Sequence, residues 1–522
     1  SRLVGYPNSV SNTDADDTAL ICSNTSDLNR SISHVNNFCL ATAAKLNASK
    51  CSYFSFFDSI LPPSLNFHKI QQDQLETYLG YQFSLTGISN NLHATIDKLT
   101  SSFLLWKQRG STIKANTNIV KSYLLSKLTY LQYLNSIDSD DIRKLNNMIN
   151  WFIFSYRDFT PNHYFQPKMK PLRRLLPMKF GGLGLPDIGP RDTAQKAYIF
   201  DHFLNSHNSL PYGPAWLHNL QEQISFNQAT NLPWTDPQAY GQLSSIQQLT
   251  FKAWLTVNAS KSVTQMPTPI FNTNPLQLHS NDLSFLKFFT LNNQPIFTTN
   301  SKKITLKHYY LLLLYNNLKS SLPRDVTTFQ YPITPSQSGI QLQYNIDYTK
   351  LFPAINMVKH KRAHNTIFRY SAKLLPLIKP PPACPACGVR NILTSSHIFF
   401  DCPVLVNRNA DGLQFAATTL SINMPQWSPS ILAQYDCRHS ILRINLVAIT
   451  MHQIWLDFCH WKHQSNQRHS SLHTINIITQ DIIRTESTIL HSKLQLQVAK
   501  LRSQSAPTEQ ISSLLTKATI KH

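Results

Sequence analysis

The chain has 522 residues, 42% of them apolar, which is enough for roughly two to four packed domains. Lys and Arg number 48 against 27 Asp and Glu, a formal charge of +21 with a pI near 9.6, so phosphate is the natural counter-charge of its partner. Neither a spanning helix nor a signal peptide is visible, the most apolar run, Tyr309 to Tyr315, being short, and eight cysteines in this length make no disulfide framework; an intracellular protein with no membrane partner is expected.

The first element in chain order is an acidic turn, Ala15-Asp16-Asp17-Thr18, between Asn12-Thr13-Asp14 and Ala19-Leu20-Ile21. Two adjacent carboxylates at a strand turn suit the divalent ions that stabilise an in-line phosphoryl displacement. Exposed turns also favour Asp for backbone reasons, so the pair alone does not specify catalysis. A helical stretch follows with Ile32, Val35, Phe38 and Leu40, then a loop carrying Asn47 and Lys50, then Tyr78-Leu79-Gly80.

In this order and spacing the segment resembles the reverse transcriptases of non-LTR (LINE-type) retrotransposons. There a Tyr-Ala-Asp-Asp hairpin is followed by a helix, a loop with Asn and Lys, and a strand pair ending in Leu-Gly. The resemblance implies a partial palm in which Asp16 and Asp17 bind Mg2+ or Mn2+, Lys50 protonates the leaving pyrophosphate, and Leu79 and Gly80 form the primer grip. Two departures accompany it. The aromatic residue that precedes Ala-Asp-Asp in the family is Asp14 here, and a third carboxylate raises the cost of full ionisation. The fingers, the upstream palm strand with its own Asp and the dNTP-positioning segment would lie before residue 1. Together with Ser1 in place of Met, this makes the chain read as the downstream part of a polyprotein whose endonuclease and palm segments are partners.

Apolar residues at Leu92, Ile96, Leu99 and Phe103 have helical spacing and predict a helix over Ile88 to Lys107. A second helix is expected from Ile119 to Tyr133, and a third from Ser139 to Phe154 that starts on capping-type residues and buries Ile142, Leu145, Ile149 and Phe152. Such a bundle fits a polymerase thumb, and Lys107, Arg109, Lys114, Lys121 and Lys127 are its candidate nucleic-acid contacts, with Arg173 and Arg174 beyond them. Gly181-Gly182-Leu183-Gly184-Leu185-Pro186-Asp187 lacks the strand and Gly-Lys-Ser/Thr ending of a phosphate loop and reads as a tight positive-φ turn. The string resembles the segment after the thumb in the same family, where Asp192 to Phe203 is the following helix. Residues 205 to 300, rich in Asn, Gln, Ser, Pro and Thr, read as a loosely packed connector with short helices.

Further on, Tyr309 to Leu318 reads as a helix, and Lys359, Lys361 and Arg362 form a basic stretch that serves equally as a nucleic-acid contact or a solvated face. Cys384, Cys387, His397 and Cys402 make a C-x2-C-x9-H-x4-C array. Zn2+ takes four such ligands tetrahedrally, and four filled positions leave none for water, so the expected role is structural. The array resembles the zinc-binding module downstream of these reverse transcriptases, in Cys384 to Gly388, His397 to Phe400 and Cys402-Pro403. Ser440 to Trp461 is expected as a long helix packing on the module, and residues 464 to 522 hold no acidic cluster of the RNase H kind.

The expected architecture is therefore α+β, mostly α: a partial palm sheet (1–84), a helical thumb with its Gly-rich segment (85–203), a polar helical linker (204–300), a small CCHC zinc module (301–405) and C-terminal helices (406–522). The expected function is the C-terminal portion of an RNA-directed DNA polymerase acting in the nucleus on template RNA, DNA primer or target and, in the intact parent, dNTP. The alternative is a catalytically inactive relic that only binds nucleic acid.

Overall fold

The computed structural model describes residues 9–14, 17–22, 24–54, 67–78, 80–84, 87–89, 92–107, 109, 112–155, 169, 171–207, 215–258, 267–271, 280–291, 294–297, 303–321, 348–371, 375, 383–390, 394–419, 423–432 and 441–463, with a few single positions beyond. It is α+β and mostly helical, with only small sheets. The chain forms two compact units, residues 1–101 with 126–141 and residues 102–125 with 142–522. The helices expected as a thumb are thus divided between the two.

In the first unit, β1 (Ser9–Asp14) and β2 (Asp17–Cys22) pair antiparallel with Asp14 opposite Asp17. α1 (Thr25–Thr42) starts where the Asn24 side chain accepts from the Asp27 amide at 2.9 Å, satisfying one of the helix's orphan donors. It buries Ile32 but leaves Phe38 and Leu40 exposed. Two short strands, β3 (Ser52–Tyr53) and β4 (His68–Lys69), pair parallel. An antiparallel meander follows, of β5 (Glu76–Tyr78), β6 (Tyr81–Ser84) and β7 (Gly87–Ser89). Ile88 therefore belongs to a strand, and α2 (Leu92–Lys107) begins later than its periodicity suggested; Leu92, Ile96, Leu99 and Phe103 are all buried as expected.

The second expected helix starts earlier than Ile119. Thr112 caps α3 (Ile113–Ile119) by accepting from the Ala115 amide at 3.1 Å, and a π-helical turn, Val120–Leu124, joins it to α4 (Leu125–Leu131). α5 (Ser139–Phe154) has the expected bounds, entered through Asp138, whose carboxylate accepts from the Asp141 amide at 2.6 Å. Leu145, Ile149 and Phe152 are buried, whereas Ile142 is only half-buried.

In the second unit a short α6 (Pro171–Leu175) leads into the Gly-rich turn, where Gly181 (φ 77°) and Gly184 (φ 60°) adopt the expected left-handed conformation. Gly182 is required for a different reason: a Cβ there would overlap the carbonyls of Leu176 and Arg173. α7 (Ile188–His207) packs most extensively against α9 (Ser245–Asn258) and then α10 (Leu306–Ser321), with α8 (Ala215–Thr230) alongside. The stretch expected as a loosely packed connector is instead part of a core in which Leu220, Ile224, Trp234, Tyr240, Phe251 and Trp254 meet Ala197 and Phe200 of α7. Few residues suffice because they are large: the Trp234 and Phe251 rings meet edge-on at 4.8 Å, and aromatic rings bury more area per residue than any other side chain.

A buried carboxylate knits this core together. Asp201, fully buried on α7, accepts hydrogen bonds from Trp254 Nε1 (3.1 Å), the Ile270 amide (2.6 Å), the Phe271 amide (3.1 Å) and the Tyr309 hydroxyl. One carboxylate thereby ties α9, α10 and the segment at residues 270–271 to α7. Burial pushes its pKa up, and these four donors oppose the shift.

Candidate metal centre

Cys384, Cys387, His397 and Cys402 come together as the spacing predicts. Cys384 and Cys387 sit on a tight turn in which the Gly388 amide donates to the Cys384 carbonyl at 2.8 Å and the Cys384 amide to the Val389 carbonyl at 2.9 Å. Gly388 has φ 75° and open space around it, so glycine is favoured there for its backbone freedom, which folds the turn back on itself.

His397 and Cys402 are joined by another device. His397–Asp401 is a π-helical turn, closed where the Cys402 amide donates to the His397 carbonyl at 2.7 Å. In an α-helix, residues five apart point to different faces, because each turn takes about 3.6 residues. The wider i→i+5 turn brings them to the same side, and such turns are rare enough to mark functional positions. Thr394 fixes its entry, its hydroxyl accepting from the His397 amide at 3.0 Å.

The four ligand atoms lie within 4.8 Å of one another, with Cys384 Sγ 4.0 Å from Cys402 Sγ and Cys387 Sγ 3.4 Å from His397 Nε2. Zinc–sulfur bonds of ~2.3 Å and zinc–nitrogen bonds of ~2.0 Å in a tetrahedron require separations of about 3.5 to 3.8 Å. The side chains therefore fit a Zn2+ ion. Cys384, His397 and Cys402 are buried and Cys387 is half-buried. Burial lowers the His397 pKa, leaving its imidazole neutral and able to ligate. The Cys402 thiol is pushed up to about 12 by burial, with the adjacent Cys384 and Cys387 adding to the shift, because a second and third thiolate in one small space repel unless a cation is shared. The chemistry of this donor set is that of a closed, structural metal site.

Packing beneath the π-turn holds it. Phe399 meets Tyr370 edge-on at 5.1 Å and stacks on Trp455 at 6.3 Å; Phe400 stacks on Trp427 at 5.7 Å, and Trp427 Nε1 donates to the Phe399 carbonyl at 2.8 Å. Tyr370 belongs to α12 (Lys361–Ser371), which follows α11 (Tyr348–Asn356); Pro403–Thr419 is α13, and Trp455 lies on α14 (Ile441–His463). The long C-terminal helix thus packs on the metal turn as expected, burying Ile444, Val447, Ile454 and Phe458. The ligands were evident from their spacing, but this aromatic floor was not, since its members come from four separated segments.

The other expected site residues fare differently. Asp16 and Leu79 lie outside the described residues, as does the side chain of Asp17; β1 ends at Asp14 and β2 begins at Asp17. Lys50 is exposed at the end of the turn Ala48–Lys50, its amide donating to the Asn47 carbonyl at 3.0 Å. Gly80 (φ 80°) forms the β5–β6 turn and shares with Lys127, Thr95, Ser126, Tyr130 and Leu131 an open cavity of about 380 Å³. Two residues expected to act on the primer and on the thumb therefore line one space.

The candidate cations divide by burial. Lys107 is a correction: only 8% exposed, its Nζ donates to the carbonyls of Phe152 and Ser155, both at 2.7 Å, and of Trp151 at 3.4 Å. It caps the C-terminal end of α5, where orphan carbonyls and the helix dipole attract a cation, and it does not reach solvent as a phosphate contact. Burial lowers its pKa to about 8, and the charge of Arg369 adds to this. Lys107→Ala is expected to cost about 2–3 kcal/mol, the range for a charged hydrogen-bond donor whose partners are left buried, read from urea unfolding. The sign of the pH effect follows from the lowered pKa. Between about pH 8 and the ordinary lysine value near ~10.4, the unfolded chain holds a proton that the folded chain has lost, so stability rises with pH in that window. The slope should be shallower in the variant, which lacks the share contributed by Lys107.

Lys121 is half-buried beside Gly184, Arg173 Nε donates to the Gly181 carbonyl at 3.4 Å, and Arg174 donates to Asn150 Oδ1 at 2.7 Å. These three hold the Gly-rich turn and its surroundings. Arg109, Lys127, Lys359, Lys361 and Arg362 are exposed. No helix of the described residues is long and apolar enough to cross a membrane. No protein-family model matches the chain, and no curated protein matches it.

Proposed function

We propose that the chain is the C-terminal portion of an RNA-directed DNA polymerase of the non-LTR retrotransposon kind, which binds template RNA and DNA primer through basic helices and a zinc-stabilised module. The observation that carries the reading is the convergence of Cys384, Cys387, His397 and Cys402 into a four-ligand donor set of the kind that takes zinc. Upstream of it, in the family's order, lie an acidic β-hairpin, a helix and a glycine turn. The shared cavity of Gly80 and Lys127 suits a strand passing between primer grip and thumb. Asp16 and Asp17 hold Mg2+ or Mn2+ in this reading, and dNTP is the substrate of the intact parent.

A second reading, an inactive relic that only binds nucleic acid, is favoured by the register of the hairpin. Asp14, paired with Asp17 in that register, occupies the position where the family has an aromatic residue. Primer extension on poly-rA/oligo-dT with Mg2+ or Mn2+, using a version extended upstream, separates the two: incorporation abolished by Asp16→Ala selects the polymerase. Salt-independent binding of the primer–template would sink both readings, because phosphate contacts release counterions.

A further inference from the structure

The basic residues that looked like two separate groups along the sequence meet on one surface of the second unit. The start of α3 lies against α11 and α12: the Ile113 amide donates to Asn365 Oδ1 at 3.0 Å, and Lys114 Nζ donates to the Asn356 carbonyl at 3.3 Å. Lys107 is close enough to Arg369 to feel its charge, and His364 to feel that of Lys114. On α12 the side chains of Ala363, His364, Thr366, Ile367, Phe368 and Tyr370 are buried. On the remaining side Lys361 and Arg362 are exposed and Asn365 and Arg369 half-buried, positions that the helical repeat places on one stripe. Every charged member of the stripe is a cation.

Acidic residues are absent from the segments that build this surface. Residues 348–400 contain eight Lys and Arg and no Asp or Glu, and residues 102–125 contain four Lys and Arg and no Asp or Glu, so the field is not cancelled locally. Among the described residues the nearby carboxylate is Asp481, 3.4 Å from His360 Nε2, and Arg484 stands 3.7 Å from it. Lys114 gives one hydrogen to Asn356, and an ammonium has three. Arg109, exposed and stacked at 4.6 Å on Trp106, follows the helix end from which this surface starts.

We infer that Lys114, Lys361, Arg362 and Arg369 form a single surface that grips the phosphodiester backbone of a nucleic acid. The inference rests on the proposed nucleic-acid-binding function and assigns it a location, on the helix that packs against the metal turn. A phosphodiester strand supplies the repeated, regularly spaced anions that a stripe of cations on successive turns requires. With no base-reading groups on the stripe beyond Asn365, the grip is sequence-independent.

The test uses the full chain and labelled RNA and DNA oligonucleotides, with binding followed by fluorescence anisotropy as salt is varied. Lys114→Gln with Lys361→Gln and Arg362→Gln is compared with Lys287→Gln, Lys303→Gln and Lys319→Gln, exposed lysines elsewhere in the same unit. The first set is expected to lower the slope of log affinity against log salt by about two to three, one phosphate contact per cation, and the second to leave it unchanged. Equal losses in the two sets would overturn the surface and leave only bulk charge. Unchanged binding in the first set would overturn it while the nucleic-acid reading stands, and an unmodified chain that binds neither polymer would end both. Preference for anionic phospholipid vesicles over both oligonucleotides at matched salt also overturns it. Should the first set fail to fold, acetylation footprinting of the unmodified chain answers instead: bound oligonucleotide should protect Lys114 and Lys361 and leave Lys287 and Lys319 reactive, and equal reactivity at all four would refute the assignment.

Discussion

Exchanging Cys384 and Cys387 together for serine is expected to abolish a stoichiometric zinc and to release the π-turn from its floor. Serine keeps the size of each side chain but removes the thiolate, and two ligands cannot hold a structural ion. The apparent binding free energy of such sites is about 10 kcal/mol or more, larger than any single packing contribution in the molecule. The loss should therefore reach Tyr370, Trp427 and Trp455, whose rings rest on or beside Phe399 and Phe400. Elemental analysis should give about one zinc per chain and none in the variant, and thermal unfolding monitored at the tryptophans should shift down in the variant and in the parent treated with chelator. Zinc retained at parental stoichiometry by the double variant would refute the ligand assignment. Because burial keeps the Cys402 thiol protonated in the ion-free protein, zinc uptake must expel protons, and affinity should fall as pH is lowered from 8 to 6.

The second large effect is expected at Asp201. Removing its carboxylate strands the Trp254 indole N–H, two backbone amides and the Tyr309 hydroxyl in the core. A buried donor left without a partner costs about 1–3 kcal/mol, and breaking a buried charged network about 3–5 kcal/mol. Asp201→Ala should therefore destabilise the second unit by about 4 kcal/mol in urea unfolding. Asp201→Asn should recover only part, since its amide group retains one accepting oxygen and turns two hydrogens toward existing donors. A loss below about 1 kcal/mol in the alanine variant, the size of one ordinary hydrogen bond, would show that water enters and re-satisfies the four donors.

Periodicity along the chain was sufficient for Leu92–Lys107 and Ser139–Phe154, because local spacing is all that an amphipathic face needs; Leu306–Ser321 and Ile441–His463 showed instead as apolar runs and are buried on nearly every side there. The candidate metal ligands were readable from local spacing too: Cys384 and Cys387 have two residues between them, and His397 and Cys402 are joined within one turn. The 204–300 stretch was not readable. Its burial depends on a few aromatics and on Asp201 from another helix, and no local pattern records a partner tens of residues away.

The fate of each cation was likewise beyond local sequence. Lys107 and Lys114 are seven residues apart with the same chemistry, yet one closes the end of a helix and the other stands at the edge of a basic surface. Spacing thus settled the Cys/His cluster and several helices, and charge made a polyanionic partner the expectation on which the proposed function rests. Long-range packing settled which polar side chains are desolvated and which stay in water, because desolvation depends on what surrounds a group in space.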